Sequence, residues 1–459
     1  MIPNHSPWIK QLNRTRPVVS LQNSLDTDFL IVGGGIAGVT TAYFALKNTD
    51  KNVVLIEADK IAHGATGHNA GQITSYFERP LTELVDEFGL ELAISGQAAV
   101  ESGWGILDEI VSEAKLQTPL YKFTGFAGFS GFDQVLQSLR NNRIRVQGGL
   151  QAESIYIAKE WIEFSKIPEE YKDLYQTISH KDLLDLLETS NTSYIALLAY
   201  QKGCMNSALY TEELIGYLIS NYKDRFSFFE GSPLKKISLD ENSGTVEVLT
   251  HTIKAERIVL CTNGFENFTI KNNAGPEIDT KFHHSLFGRI CYMSGYIEPF
   301  NNPPIAISYF PKTKEIVNDP TGESYFLLTR RPHEHEGNKS HNLLCIGGPD
   351  RVLPNHAIYS RDDPYREDIQ ETIDDFLREN YSKYPTENNE YSFSWHGLMG
   401  YTPNGIRRVG IEPCNPVLLY NLGCNGVGIL PSIFGAKRIS RFLGGENVEK
   451  SIFDPEDFG

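Results

Sequence analysis

The chain has 459 residues, enough for about two to three domains at ordinary domain sizes. Its 40% apolar and 22% charged content is that of a globular protein. A formal net charge of −16 repels phosphate backbones and anionic membrane surfaces, so nucleic acid is not an expected partner.

Residues 1–27 carry Lys10, Arg14 and Arg16 without an apolar centre. They read as a polar arm rather than a secretory signal. Residues 28–32 form a short apolar run that enters a glycine turn, with Gly33, Gly35 and Gly38 in Gly-x-Gly-x-x-Gly spacing. A helical face follows over 36–47, and a second apolar run, 53–56, ends in Glu57. Strand, glycines, helix and a distant acid form one dinucleotide unit. Gly33 permits the turn, Gly35 admits a pyrophosphate, Gly38 packs helix on strand, and the helix start offers free N–H groups. Glu57 suits a ribose without a 2′-phosphate.

Residues 80–200 read as mostly helical, with periodic segments at 81–90, 96–111 and 181–188. Beyond Lys202 the pattern changes to a helix at 210–221 and a strand at 225–229. A hairpin over 234–250 turns at 240–244, and a buried strand, 257–264, ends in a turn. Residues 285–350 suggest an antiparallel sheet and 364–380 an amphipathic helix. A strand at 417–420, a second glycine turn at 423–428 and a helix at 432–443 close the chain. The late glycine turn implies that the chain's end completes the nucleotide domain, so the domains interleave. The six cysteines lie far apart and read as reduced, mostly buried thiols of a cytoplasmic protein. His283-His284 and His333-x-His335 lack an acidic or cysteine partner at ligand spacing, so no metal site is expected. No run reaches the ~18 apolar residues of a transmembrane segment.

These motifs, in this order, resemble the FAD-dependent oxidoreductases of the D-amino-acid oxidase superfamily, the group of glycine, sarcosine and γ-glutamylputrescine oxidases. The resemblance runs from about residue 26 to 445. Gly64-Ala-Thr-Gly-His-Asn-Ala-Gly-Gln72 is similar to the segment that runs beneath the flavin, and Leu234–Ile237 to the strand beside the adenine. Residues 259–264 resemble the strand that ends in Ala-x-Gly. Residues 325–330 and 344–348 are similar to substrate-domain strands, and 395–403 with Val409-Gly410 follow the family order. Residues 423–428 resemble the loop that faces the isoalloxazine.

The resemblance implies a Rossmann-like α/β FAD domain, over 28–79, 203–270 and 395–445. It is interleaved with an α+β substrate domain, built on an antiparallel sheet, over 80–202 and 271–394. It places FAD on Gly33, Gly35, Ile36, Ala37 and Gly38; on Glu57 and Ala58; on Thr66, Gly67, His68, Asn69, Ala70, Gly71 and Gln72; and on Leu234. Thr262, Asn263 and Gly264 follow, then Gly423, Asn425, Gly426, Val427, Gly428 and Ile429. His68 stands where Arg is commoner; it is either a covalent flavin attachment, as in the dimethylglycine and sarcosine dehydrogenase branch, or a hydrogen-bonding neighbour. Arg330 is the expected carboxylate clamp, and His396 an active-site residue. The implied reaction oxidises the C–N bond of an amine or amino acid by hydride transfer to flavin N5, with imine hydrolysis. Dioxygen, a quinone or a carrier protein is the acceptor. Competing readings are a hydroxy-acid or glycerol-3-phosphate-type dehydrogenase on the same fold, and a non-catalytic nucleotide-binding subunit.

Overall fold

A computed structural model describes residues 3–265, 267–299, 302–311, 325–335, 337–353, 358–383 and 391–455. Two sheets organise the chain. In the first, Leu25–Val32 lies parallel between Val53–Ile56 and His251–Leu260, and Phe226–Phe229 extends the Val53 side. Leu418–Leu422 joins the end of His251–Leu260, also parallel. The hairpin Leu234–Leu239 and Gly244–Val248 pairs antiparallel on the other edge. The five parallel strands 25–32, 53–56, 226–229, 251–260 and 418–422 therefore end on one side of the sheet. That crevice is where open α/β sheets bind ligands.

The glycine turn works as its spacing requires. Gly33 has φ +109°, a left-handed value that L side chains avoid, and a Cβ there would fall 2.6 Å from the Cys261 carbonyl oxygen. A Cβ on Gly38 would fall 1.8 Å from the Gly33 oxygen, so helix Ile36–Asn48 packs on the strand only with glycine there. Every residue from Ile36 to Leu46 is buried, as expected of a helix enclosed on all sides. Its neighbours include Ser207–Asn221 and Ile429–Leu443. The closing helix starts at Ile429, three residues before the expected Ser432, with Gly428 as its cap.

The second sheet runs Phe393–Tyr401, Phe287–Pro299, Asn338–Val352, Phe326–His335, Ile305–Phe310, Tyr121–Phe129, Ala196–Cys204, Ser154–Ala158, Gln176–Ile178. Helix Glu367–Asn380 covers one face, burying Ile369, Ile373, Phe376 and Leu377 against Tyr309, Leu328 and Ile346. Its i, i+4, i+7, i+8 spacing is the amphipathic pattern expected there. The antiparallel expectation for 285–350 holds for its described strands, except that Ile305–Phe310 pairs in parallel with Tyr121–Phe129. Residues 312–324 of that stretch and the His335 side chain lie outside the described ones.

Four expectations need correction. Residues 80–200 hold helices Leu81–Phe88, Leu90–Glu113, Phe132–Gln147 and His180–Leu186, but also four strands, at 121–129, 154–158, 176–178 and 196–204. The first, second and fourth lie inside a wide sheet, where burial on both faces weakens the alternation that marks a strand, and the third is a three-residue edge strand. Helices Leu81–Phe88 and Leu90–Glu113, expected in the substrate domain, pack in a core that takes residues from both sheets, Met293, Cys345 and Trp395 of the second among them. Phe393–Tyr401, expected in the nucleotide unit, is an edge strand of the second sheet. The arm is docked rather than a plain lead: Trp8 is 0% exposed, and Arg14 and Arg16 pair with Glu212 and Glu230.

Candidate FAD and substrate site

A cavity of about 610 Å³ opens where the parallel strands end, between the two sheets, within the range of cofactor and ligand sites. Ile36 and Ile429 begin helices whose N-caps, Gly35 and Gly428, contribute no capping side chain. Both helix starts line the cavity. Unshared N–H groups and a positive dipole end at such termini suit phosphates and developing negative charge.

Most of the residues expected to hold the cofactor line this one cavity. From the turn come Gly33, Gly35, Ile36 and Ala37, and from the second strand's end Glu57 and Ala58. Thr66, His68, Asn69, Ala70 and Gln72 come from the flavin segment, Leu234 from the hairpin, and Thr262 and Asn263 from the third strand's end. Gly426, Val427, Gly428 and Ile429 complete the wall. Gly38, Gly67, Gly71, Gly264, Gly423 and Asn425 do not line it. They shape the backbone that does. Gly67 and Gly71 make room for Ile9 and Trp8 of the arm, and Gly264 lies against Gly400. Asn425 Oδ1 accepts from Thr402 N at 2.8 Å and its Nδ2 donates to the Gly423 oxygen at 3.1 Å, so it ties the closing loop to itself.

Thr66 Oγ1 accepts from Ile36 N at 2.9 Å and fixes the flavin segment to the helix start. Trp8 Nε1 and Trp395 Nε1 both donate to the Asn69 oxygen, at 2.6 and 3.2 Å. Ser6 Oγ donates to the Gly67 oxygen at 2.5 Å, so arm and edge strand brace the segment from outside. Glu57 accepts from Gly34 N at 2.7 Å and Asp59 N at 2.9 Å. Burial raises its pKa and those N–H groups oppose the shift. Each carboxylate oxygen keeps a lone pair for a ribose hydroxyl. His68 donates to the Gly64 oxygen through Nδ1 at 3.0 Å, and burial lowers its pKa to about 4, so the ring is neutral.

Neither of the two residues expected to be catalytic lines the cavity. Arg330 is 0% exposed and does not line the cavity. Its Nη1 and Nη2 donate to Glu188 at 2.7 and 2.8 Å, Nη1 also reaches Tyr381 Oη, and Nε donates to the Pro303 oxygen at 3.0 Å. A guanidinium saturated this way has no fork left for a substrate. His396 packs on the far side of its strand: Nδ1 meets Tyr359 Oη at 3.0 Å and Nε2 the Asp363 oxygen at 2.9 Å. Only its neighbours Gly397, Leu398 and Met399 reach the cavity.

Several cavity residues carry no motif signal in the sequence. Arg407 is buried, and its hydrogen bonds go to Asn421 alone: Nε to Oδ1 at 2.8 Å and Nη2 to the carbonyl at 2.9 Å. Burial pulls its pKa down to about 10. A buried cation with no carboxylate beside it is costly unless an anionic ligand completes it. Among the described residues the buried Thr262 Oγ1 also has no hydrogen-bond partner. A phosphate- and flavin-bearing cofactor fits both. Arg361 lines the wall near Glu57, bonded to Asp59 and to the His63 oxygen. On the second-sheet side Gln72, Thr74, Tyr76, Met293, Tyr325 and Leu327 form the opposite wall. Tyr325 Oη donates to Glu78 Oε1 at 2.8 Å and lies 3.4 Å from Tyr76 Oη.

Comparison with known proteins agrees with this geometry. The family model described as FAD dependent oxidoreductase (DAO) matches residues 28–441. The chain is 37% identical over 94 residues to the putative Rieske 2Fe-2S iron-sulfur protein YhfW of Bacillus subtilis, a match covering 20% of this chain and 18% of that protein. It is 31% identical over 106 residues to gamma-glutamylputrescine oxidoreductase of Escherichia coli, covering 23% and 25%. The matched stretches thus span a quarter or less of those relatives. Glycine oxidase from Geobacillus kaustophilus shares the fold, with a TM-score of 0.64 at 14% identity, over 95% of this chain and 100% of that one.

Proposed function

The chain belongs to the FAD dependent oxidoreductase family, and from that premise we propose that it oxidises the C–N bond of an amine or amino acid, an amine by preference. FAD is the family's cofactor, and its site is the cavity between the sheets. When bound, it would supply a hydride acceptor, and Tyr76, Tyr325 and Gln72 line the second-sheet side of the same cavity. The chain's own contribution is to orient the substrate, keep water from the reacting carbon and set the substrate nitrogen's protonation. The observation that carries the preference is the character of that wall. Among the described residues it offers hydroxyls, an amide and, behind Tyr325, the Glu78 carboxylate, but no guanidinium. With Arg330 held by Glu188, and with Arg361 and Arg407 among the residues assigned to the cofactor, the wall of Tyr76, Tyr325 and Gln72 itself offers a substrate carboxylate or phosphate no fork, whereas an ammonium group suits tyrosine oxygens and a nearby acid. The same point weighs against hydroxy acids and glycerol phosphates.

The test is anaerobic mixing of the FAD-loaded protein with a panel of primary and secondary amines, amino acids, 2-hydroxy acids and glycerol 3-phosphate. Bleaching by amines first supports the reading. Bleaching by hydroxy acids or glycerol 3-phosphate alone overturns it, and a protein that never takes up FAD points to a non-catalytic subunit. Reoxidation in air, against reoxidation by a quinone, separates the acceptors.

A further inference from the structure

Lys202 is an unusual side chain for its place. It is 0% exposed, on an inner strand of the second sheet, and among the described residues no carboxylate lies within hydrogen-bond reach. Its Nζ meets Gln72 Oε1 at 3.1 Å and Ser308 Oγ at 3.0 Å, and sits 4.9 Å from the centre of the Tyr200 ring. Space is made for its stem: a Cβ on Gly125, across the strand pair, would fall 2.5 Å from Lys202 Cδ. From Ser308 the polar path continues. Beyond Ser308 lie Tyr76 and Tyr200, on both of which it acts, and Tyr76 approaches Tyr325 Oη at 3.4 Å. Tyr76, Tyr325 and Gln72 line the cavity, and Gln72 itself meets Lys202 Nζ. Polar groups thus lead from the cavity wall to a buried amine.

We propose that Lys202 is the proton acceptor for the substrate nitrogen, reached from the cavity through Tyr76 and Ser308. The inference rests on the C–N oxidation proposed above. An amine enters as an ammonium ion, and its α-carbon releases a hydride only after nitrogen regains its lone pair. One N–H bond of the ammonium breaks to Tyr76 Oη. Tyr76 passes its own proton to Ser308 Oγ, and Ser308 passes its proton to Lys202 Nζ. The net change is substrate ammonium plus neutral lysine giving neutral amine plus lysine ammonium, with no other reactant. Gln72 Oε1 accepts from Nζ in both states. Gln72 itself is held by its Nε2, which donates to Thr329 Oγ1 at 3.0 Å.

The acceptor role needs a lysine that is neutral near neutral pH. Burial lowers its pKa to about 7, against the opposing pull of Glu78. The other titratable groups facing it are Tyr76 from the flavin segment and Tyr200 from its own strand. Burial raises both well above neutrality, so neither competes for the proton. Glu153 acts on Tyr200 from the next strand, and the strand 121–129 presents Gly125.

The experiment uses FAD-loaded wild type, Lys202→Met and Ser308→Ala, with the fastest-bleaching amine of the panel, mixed anaerobically from pH 6 to 10. In the wild type, the bleaching rate should rise through an inflection near 7. In both variants it should fall by about a hundredfold or more at pH 7, with the inflection moved up to the amine's own pKa. The gap should close once the free amine predominates in solution. A merely structural lysine would lower the rate equally at every pH, and that result, or an unchanged profile, overturns the proposal. A substrate-free titration of flavin absorbance separates this from failure of the parent reading. If no amine bleaches wild type, C–N oxidation fails. An inflection near 7 that Lys202→Met abolishes then supports a titrating lysine coupled to the site, and its absence in wild type rejects one.

Discussion

Replacing Arg330 with Met removes one partner of a buried ion pair and leaves Glu188, itself buried, with Lys383 and Tyr381. Breaking such a pair from one side costs about 3–5 kcal/mol, because the remaining charge stays out of water. A chain of 459 residues, at ~2.1 cal/mol/K of unfolding entropy per residue, unfolds with roughly 1 kcal/mol/K. Arg330→Met should then lower Tm by about 3–5 °C. Arg330→Lys keeps the charge but not the two-pronged contact, and should cost less. Burial pushes the Glu188 carboxyl up, but Arg330 and Lys383 more than reverse this and hold it below its ordinary value of 4.5. Its contribution is complete above that value and is lost as the pH falls through the lower folded one. The Tm gap between wild type and Arg330→Met should therefore be full at pH 7 and narrow in acid. The assay is differential scanning fluorimetry of the FAD-loaded proteins at several pH values, paired with anaerobic bleaching by amines and amino acids. The rate per bound flavin should not change. A variant with wild-type Tm but a raised KM for carboxylate-bearing substrates alone would refute this reasoning and restore the clamp.

Gly35→Val should yield apoprotein: a Cβ at Gly35 falls 2.9 Å from Thr66 Oγ1, at the helix start proposed to receive the pyrophosphate. Full yellow occupancy in that variant would place the cofactor elsewhere. His68 has Nδ1 engaged at the Gly64 oxygen and a neutral ring, and acid precipitation should release all the flavin to the supernatant. A yellow pellet that His68→Ala turns white would establish a covalent link instead. Trp8→Ala empties a fully buried site beneath Asn69 and Gly71 and should cost about 3–5 kcal/mol. It should also weaken FAD binding, read by the fluorescence of released flavin. Loss of stability with unchanged FAD affinity would confine the arm to a scaffolding role.

The nucleotide half of the fold was legible because its signals are local. A glycine turn, an acid 19 residues after the last glycine, and a second glycine turn each depend on a few adjacent backbone positions. The strands at 121–129 and 196–204 were missed because they lie within the sheet: Tyr121–Phe129 pairs with Ala196–Cys204 on one side and Ile305–Phe310 on the other. Motif position located Arg330 and His396 on the right strands. A strand sends alternate side chains to opposite faces, and a one-residue question of facing decides between cavity and core. Glu188, which captures Arg330, lies 142 residues away in sequence, beyond any local pattern. Arg407 and Lys202 gave no signal, because a lone basic residue is ordinary in sequence and exceptional only once buried.

The docked arm bears on the order of events as the chain is made. Asn4 bonds to His396, 392 positions later, and His5 pairs with Ser394. The ribosome therefore releases the arm long before its edge-strand partners exist. Closing a loop of that length is slow, whereas Ser6 and Trp8 reach residues 67 and 69 across only 61 positions. The arm is therefore expected to settle in two stages, its brace on the flavin segment before its contacts with the edge strand, and a change at Asn4 or His5 should disturb the second stage alone.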